Sequence, residues 1–206
     1  MIALPRSAFT SFPAMKTPND VLDFWFLTPD QPGYGKPRVE WFRKDAAFDE
    51  AIRARFGGLI TEALAGGLRD WCATAEGALA YILVLDQFTR NVFRDTTEAF
   101  AGDALNLAAA VDALDRGFDM TLPPLRRWFV YMPLEHAEDV AMQDRCVALF
   151  TALAAEDGAF ADALDYAVRH RDIVARFGRF PHRNAVLGRA STPEEIEFLT
   201  LPGSRF

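Results

Sequence analysis

The sequence predicts an all-α protein of seven to eight helices arranged as antiparallel hairpins. Apolar residues recur at three- and four-residue steps, and many of these segments begin at a capping residue and end at glycine. The apolar run from Ala78 to Leu85 would also suit a strand, but no second strand of comparable quality exists to pair with it. Short loops between helices of similar length favour antiparallel neighbours.

Capping residues, prolines and glycines give the expected helix boundaries. The predicted N-caps are Thr17, Asp45, Thr74 and Thr192, and the predicted helix ends include Gly66 and Gly178. The predicted helices cover residues 18–27, 45–65, 75–90, 96–116, 123–131, 134–155, 160–177 and 192–199, with an interruption at Met132-Pro133. The third of these is apolar on all sides, so we expect it to be the central helix.

Length and composition indicate a single all-α domain, residues 17–206, after a mobile N-terminal extension over residues 1–16. No apolar run approaches the ~20 residues of a membrane span, and no segment resembles a signal peptide. We therefore expect a soluble, cytoplasmic protein with no membrane partner. Cys72 and Cys146 form no metal-ligand pattern and are expected to be free thiols.

The formal charge of −7 argues against nucleic acid as a partner, because phosphate contacts need a basic face. One segment is nevertheless basic, since residues 169–189 carry six arginines and one acid, a local charge of +5. Arginine is the usual cation of this chain, with 19 arginines against 3 lysines, which lessens the weight of such a cluster. The segment could still attract a small anion.

Three polar segments interrupt the apolar pattern and supply the candidate site residues. In the first, Asp86 and Arg90 are four residues apart, as are Gln87 and Asn91, at the end of the predicted central helix. In a buried helix these side chains need partners or a ligand, because an unpaired buried charge is costly. An ion pair within the helix is the alternative interpretation.

The second segment gathers Glu135, His136, Glu138 and Asp139 at a predicted helix start, where acids are also expected from the helix dipole. His136 and Glu138 match the His-x-Glu half of a zinc-deaminase signature, but its Pro-Cys-x-x-Cys half is absent. Glu135 and Asp139 are a candidate carboxylate pair, or else partners for the arginines near residue 180.

The third segment is Phe177–Asn184, continued to Arg189. His182, Arg183 and Asn184 are expected near the start of a short helix, where free backbone amides favour anions. Arginines beside such amides suit a carboxylate or phosphate. The alternative is a corner held by ion pairs with the acids of the second segment.

The histidines give no support to a metal site. All three lie in or beside the polar segments, at His136, His170 and His182, but no pair is spaced i,i+4 on one helix. No Walker loop, nucleophile elbow or dinucleotide fingerprint occurs. We therefore assign neither a metal nor a cofactor.

These segments carry a family resemblance. Leu85-Asp-Gln-Phe-Thr-Arg-Asn91, Tyr131-Met-Pro-Leu-Glu-His-Ala-Glu138 and Phe177-Gly-Arg-Phe-Pro-His-Arg-Asn184 resemble motifs of the bacterial domain-of-unknown-function 924 family. Thr89 stands where that family usually has proline, and Ala137 where it usually has serine. The resemblance implies a tetratricopeptide-like helical superhelix and implies no activity.

Two hypotheses for function follow. In the first, the three segments meet in a cleft that binds a small anionic molecule, with a histidine–carboxylate pair for acid–base chemistry. The catalytic candidates are His136, Glu135 and His182, and the ligand-binding candidates are Asp86, Gln87, Arg90, Asn91, Glu138, His170, Arg179, Arg183 and Asn184. In the second, the helices form a scaffold that holds a peptide or protein partner, with Tyr34, Trp41, Phe42, Trp71 and Trp128 as anchors. The three segments could also serve only to hold the helices together.

Overall fold

A computed structural model describes residues 16–205, and the mobile extension predicted for residues 1–16 lies, except for Lys16, outside the described residues. The described part is helical and contains no strand, which confirms the all-α prediction. Its α-helices are α1 (Pro18–Phe26), α2 (Ala46–Leu64), α3 (Ala75–Leu83, Val84–Phe88 and Thr89–Val92 in succession), α4 (Asp103–Asp115), α5 (Pro124–Glu135), α6 (Val140–Glu156), α7 (Ala161–Phe177) and α8 (Pro193–Phe198). Short 3₁₀ turns join several of them.

Four predicted N-caps are confirmed. Thr17 and Thr192 each form a capping box, in which the hydroxyl accepts a backbone N–H and an acid three residues later accepts the N–H of the cap. Asp45 and Thr74 accept backbone N–H groups at the starts of α2 and α3. At the C-terminal end of α7, Gly178 has a left-handed φ of 70°, as predicted for a glycine that ends a helix.

Helix α3 is the centre of the fold, as predicted. Every residue from Gly77 to Thr89 is buried, and the helix packs against α1, α2, α4 and α5. Aromatic rings surround it: Phe88 lies 5.0 Å from Phe56 and 5.7 Å from Trp25 between ring centroids. A polar side chain carried by this helix is therefore removed from water.

Two predicted boundaries are wrong. The segment that begins near residue 96 is not one helix, because a 3₁₀ turn (Thr97–Phe100) precedes α4, which starts at Asp103. The break lets Gly102 approach the α3 backbone so closely that an added Cβ would lie 2.5 Å from the Leu85 carbonyl oxygen. Tertiary packing therefore sets this helix start.

Pro133 also does not end its helix. Helix α5 continues through it to Glu135, although the proline lacks the N–H that would donate to the Phe129 carbonyl oxygen and its ring crowds that oxygen. The break comes at residues 136–139, where Asp139 caps α6 by accepting the Met142 N–H at 3.0 Å.

A second, smaller apolar cluster organises the C-terminal part. Ile173 and Val174 of α7 pack with Phe180, and Phe177 and Phe198 lie against them. Consecutive helices α4 to α7 pack on one another, and α7 makes its main contact with α6. The tetratricopeptide-like superhelix and the domain limits stay predictions. Within residues 16–205, no helix is long and apolar enough to cross a membrane.

Candidate functional site

The first polar segment lies in a π-helical turn of α3. Residues Val84–Phe88 form this turn, and both Asp86 and Gln87 are buried within it. Such turns widen a helix by one residue and often occur at functional sites. The Thr89 hydroxyl donates to the Leu85 carbonyl oxygen at 2.7 Å and so partners one of the carbonyls that the turn displaces.

Asp86 is the anionic centre of the site. Its Oδ1 lies 2.8 Å from His136 Nδ1 and 2.9 Å from an Nη atom of Arg90, and Gln87 donates to its Oδ2 at 2.6 Å. Burial alone would raise the pKa of the Asp86 carboxyl, but Arg90, His136 and these hydrogen bonds hold it well below its ordinary value. Asp86 is therefore a buried carboxylate with partners on three sides.

His136 is held in one tautomer by this carboxylate. Because an ionised carboxylate only accepts, Nδ1 carries the proton and Nε2 keeps the lone pair. Burial lowers the pKa of His136, although Asp86 opposes that shift, so the ring is neutral near pH 7. A buried aspartate behind a histidine that presents Nε2 is the arrangement of a general base.

Arg183 reaches the same place from the third segment. It donates to the His136 carbonyl oxygen at 3.0 Å, and its guanidinium lies 3.6 Å from Asp103 and 4.4 Å above the Phe180 ring. Burial and the neighbouring Arg90 lower the pKa of Arg183 to about 10, so it keeps its charge at neutral pH.

Glu135 and His170 form a second buried pair behind His136. Their Oε1 and Nδ1 atoms are 3.0 Å apart, and His170 Nδ1 also donates to the Tyr166 carbonyl oxygen at 2.8 Å. Burial raises the pKa of Glu135 to about 8, with Asp86 adding to the shift, and burial lowers the pKa of His170 to about 3. The pair is therefore uncharged at pH 7.

A cleft of about 450 Å³ opens in front of His136 and Arg183. Polar lining comes also from Asp103 and Asn106 of α4 and from Glu138 and Asp139. The rest of the lining is apolar: Phe100, Ala104, Leu107, Pro133, Ala137 and Leu187. A concavity that combines apolar side chains with a few convergent polar groups is typical of a small-molecule site.

Several candidate residues lie elsewhere. Arg179 donates to both carboxylate oxygens of Glu195 at 2.7 and 2.8 Å, and Asn184 donates to Glu195 at 3.2 Å. Asn91 donates at 2.7 Å to Asp49 of α2. These three side chains have protein partners outside the cleft, so the structure does not bring them to His136.

Glu138 and His182 occupy intermediate positions. Glu138 lines the cleft, but it accepts two hydrogen bonds from Arg189 and one from the Phe180 N–H at 2.8 Å, which hold its pKa below the ordinary value against burial. His182 is not among the residues that line the cleft, and burial, reinforced by Arg183, lowers its pKa to about 4. Glu135 does not line the cleft either.

The sequence interpretation missed the contribution of α4. Asp103 and Asn106 face the cleft one turn apart, and Asp103 lies 3.0 Å from Arg90. An i,i+3 pair of polar residues on an otherwise alanine- and leucine-rich helix was the available signal. In the part of the chain that the structure describes, no group of three or more histidine, cysteine or acidic residues could hold a metal ion.

Fold and site together define a helical protein with a buried ionic cluster beneath a small cleft. Residues 21–203 match the sequence profile of a protein family described as bacterial protein of unknown function (DUF924), and the chain belongs to that family. It is also similar to the solved structure of a protein of unknown function from Agrobacterium tumefaciens, with 43% sequence identity and a TM-score of 0.76. The similarity covers 88% of this chain and 96% of the other. No curated protein matches significantly.

Proposed function

We propose that this protein binds a small anionic molecule in the cleft and that His136 exchanges a proton with it. The observation that carries the proposal is the Asp86–His136 pair at 2.8 Å, whose histidine lines the cleft together with Arg183. Asp86 positions the ring, His136 Nε2 accepts the proton, and Arg183 holds the anion. The geometry supports no particular reaction beyond proton transfer.

Arg183 is the best-supported cation for this role. Arg179 and Arg189 already bind Glu195 and Glu138 through two nitrogens each. Arg183 donates to a backbone carbonyl, and its Nε has no hydrogen-bond partner within residues 16–205. A buried donor of this kind favours an incoming carboxylate or phosphate oxygen. Arg90 adds a second positive charge nearby, shared with Asp86 and Asp103.

Glu135 and His170 act behind the site in this proposal. Glu135 directly precedes His136 in the chain and contacts His170, and Gln143 donates to the Glu135 carbonyl oxygen at 2.6 Å and the Ala137 carbonyl oxygen at 2.7 Å. These bonds fix the backbone on both sides of His136. In this proposal Glu135 therefore has a supporting role instead of the predicted catalytic one, and the catalytic role of His182 stays a prediction.

The test follows Arg183 and His136 by NMR. Acetate and inorganic phosphate are titrated into ¹⁵N-labelled protein while the Arg183 Nε–H and the His136 ring are observed. We expect saturable shifts and a rise in the His136 pKa, because a nearby negative charge favours the imidazolium. Arg183→Gln should weaken binding by ~10-fold or more, from the loss of a charged hydrogen bond.

Arg179→Gln is the matched control, since it removes an arginine of the same segment that binds Glu195. This variant should bind anions as the wild type does. Equal loss in both variants, or no response of Arg183 to either anion, would contradict the proposal.

The scaffold hypothesis retains one supporting observation. Phe42 is 55% exposed and stacks on Trp128 at 5.0 Å between ring centroids, and Tyr34 is 44% exposed. Trp41, another predicted anchor, is buried in the core. Pull-down with wild type and Phe42→Ser distinguishes this function, since a partner held there would be lost while anion binding would not change.

A further inference from the structure

One wall of the cleft carries an acceptor that the protein leaves unused. Asn106 lies on α4, is 1% exposed and lines the cleft. Its Oδ1 has no hydrogen-bond partner within the part of the chain that the structure describes. Buried amide oxygens are rarely left without a donor, because the lost interaction with water is not replaced. This oxygen is therefore the acceptor on this wall that a donor entering the cleft would use.

Asp103, one turn earlier, adds a second acceptor on the same wall. Its carboxylate forms ion pairs with Arg90 at 3.0 Å and with Arg183 at 3.6 Å, and a carboxylate with two such partners still has lone pairs for a further donor. The α4 wall therefore offers an amide oxygen and a carboxylate as acceptors, and the adjoining Arg183 Nε offers a donor.

The two kinds of group are close together. Arg183 Nη1 is 3.6 Å from Asp103 Oδ2, and Asn106 lies one helical turn from Asp103 in the same cleft, so one small molecule can contact all three side chains. A simple anion would occupy only the arginine. A ligand that also carries a hydroxyl or ammonium group would give the acceptors of α4 a partner as well.

We infer that the ligand is a small carboxylic acid that bears a hydroxyl or ammonium donor, with the carboxylate on Arg183 and the donor on the Asp103–Asn106 wall. This inference rests on the proposed function. Phe100, Leu107 and Leu187 complete the lining, so a short aliphatic body fits beside the polar groups.

The test compares three acids with one carbon skeleton: 4-methylpentanoate, 2-hydroxy-4-methylpentanoate and leucine. Binding to the full chain is measured by NMR titration. We expect the hydroxy acid, the amino acid or both to bind ~10-fold more tightly than 4-methylpentanoate, the usual effect of one added hydrogen bond. Asn106→Leu should reduce this preference to within ~3-fold while 4-methylpentanoate still binds, since only the added bond is lost.

Asp103→Asn distinguishes the two donors. Loss of its charge should weaken an ammonium ligand more than a hydroxyl ligand. Equal binding of all three acids to the wild type would overturn the inference and leave the proposed function standing. Failure of acetate, phosphate and all three acids to bind would overturn both. The wild-type comparison decides the matter even if Asn106→Leu does not fold.

Discussion

Glu135→Gln tests whether the buried pair behind His136 is neutral. Burial raises the pKa of Glu135 to about 8, against 4.5 for the exposed group. Between these values the folded protein holds a proton that the unfolded chain has released. Stability therefore falls as pH rises, by about 1.4 kcal/mol per pH unit for one such proton.

The histidines restrict the useful pH window. Burial lowers the pKa of His170 to about 3 and that of His182 to about 4, from 6.5. Below pH 6.5 the two histidines make stability rise with pH, opposite to the effect of Glu135, because there the unfolded chain binds the extra protons. Above pH 6.5 the histidine effect fades as the unfolded imidazoles lose their protons, and it is the same in the wild type and in a Glu135 variant. From pH 6.5 to 8 the wild type should therefore lose about 1.7 kcal/mol of unfolding free energy relative to Glu135→Gln, because Glu135 is half ionised at pH 8.

Urea unfolding at pH 6.5, 7.25 and 8 measures this loss. Glu135→Gln replaces a protonated acid by an uncharged group of the same shape, so its stability should not fall over this range. At pH 6.5 it should lie within about 1 kcal/mol of the wild type, as for a change between neutral groups. Glu138→Gln is the control, because it lowers stability by breaking the Arg189 pair but should keep the wild-type slope.

A charged Glu135–His170 pair would give a different result. Removing one partner would leave a buried charge alone, so Glu135→Gln would cost about 3–5 kcal/mol already at pH 6.5. The ¹⁵N shifts of the His170 ring would then report an imidazolium at pH 7. Either observation would show that the pair is ionised, and that burial does not keep Glu135 protonated at pH 7.

Two further predictions concern the core. Gly102→Ala should lower the unfolding free energy by about 1–3 kcal/mol, because the added Cβ would meet the Leu85 carbonyl oxygen. In the control variant Gly58→Ala, in α2, the added Cβ meets nothing within 4 Å, so the unfolding free energy should rise by about 0.5–1 kcal/mol in the same urea assay. Equal effects would refute the close approach. Cys146 is fully buried and its pKa is raised by burial, so a thiol reagent should label the half-buried Cys72 first and reach Cys146 only on unfolding; simultaneous labelling of both thiols in native buffer would contradict this.

Most of the fold could be predicted from local chemistry. Thr17, Asp45, Thr74 and Thr192 are side chains that accept backbone N–H groups a few residues away, so their role depends on sequence neighbours only. The start of α4 could not be predicted in this way. It depends on the approach of Gly102 to Leu85, which is a contact between separate helices.

The candidate site was predicted less completely. Asp86, Arg90, His136 and Arg183 do meet, because each breaks an apolar pattern and a buried polar group needs a partner. The same argument cannot choose which partner a polar group takes. Arg179 has Glu195 as its partner, which only the fold of the last helix brings near.

The charge balance of the cluster links anion binding to proton uptake. Asp86 and Asp103 offset Arg90 and Arg183, while His136 is neutral, so these five side chains together have no net charge. A bound anion would leave one unbalanced negative charge in a largely desolvated place, which is costly. A proton taken up by His136 removes that cost, and Asp86 is already placed to stabilise the imidazolium. His136 would thus both accept a proton and, once charged, offset the negative charge of the anion. Anion binding should therefore strengthen as pH falls toward the pKa of His136.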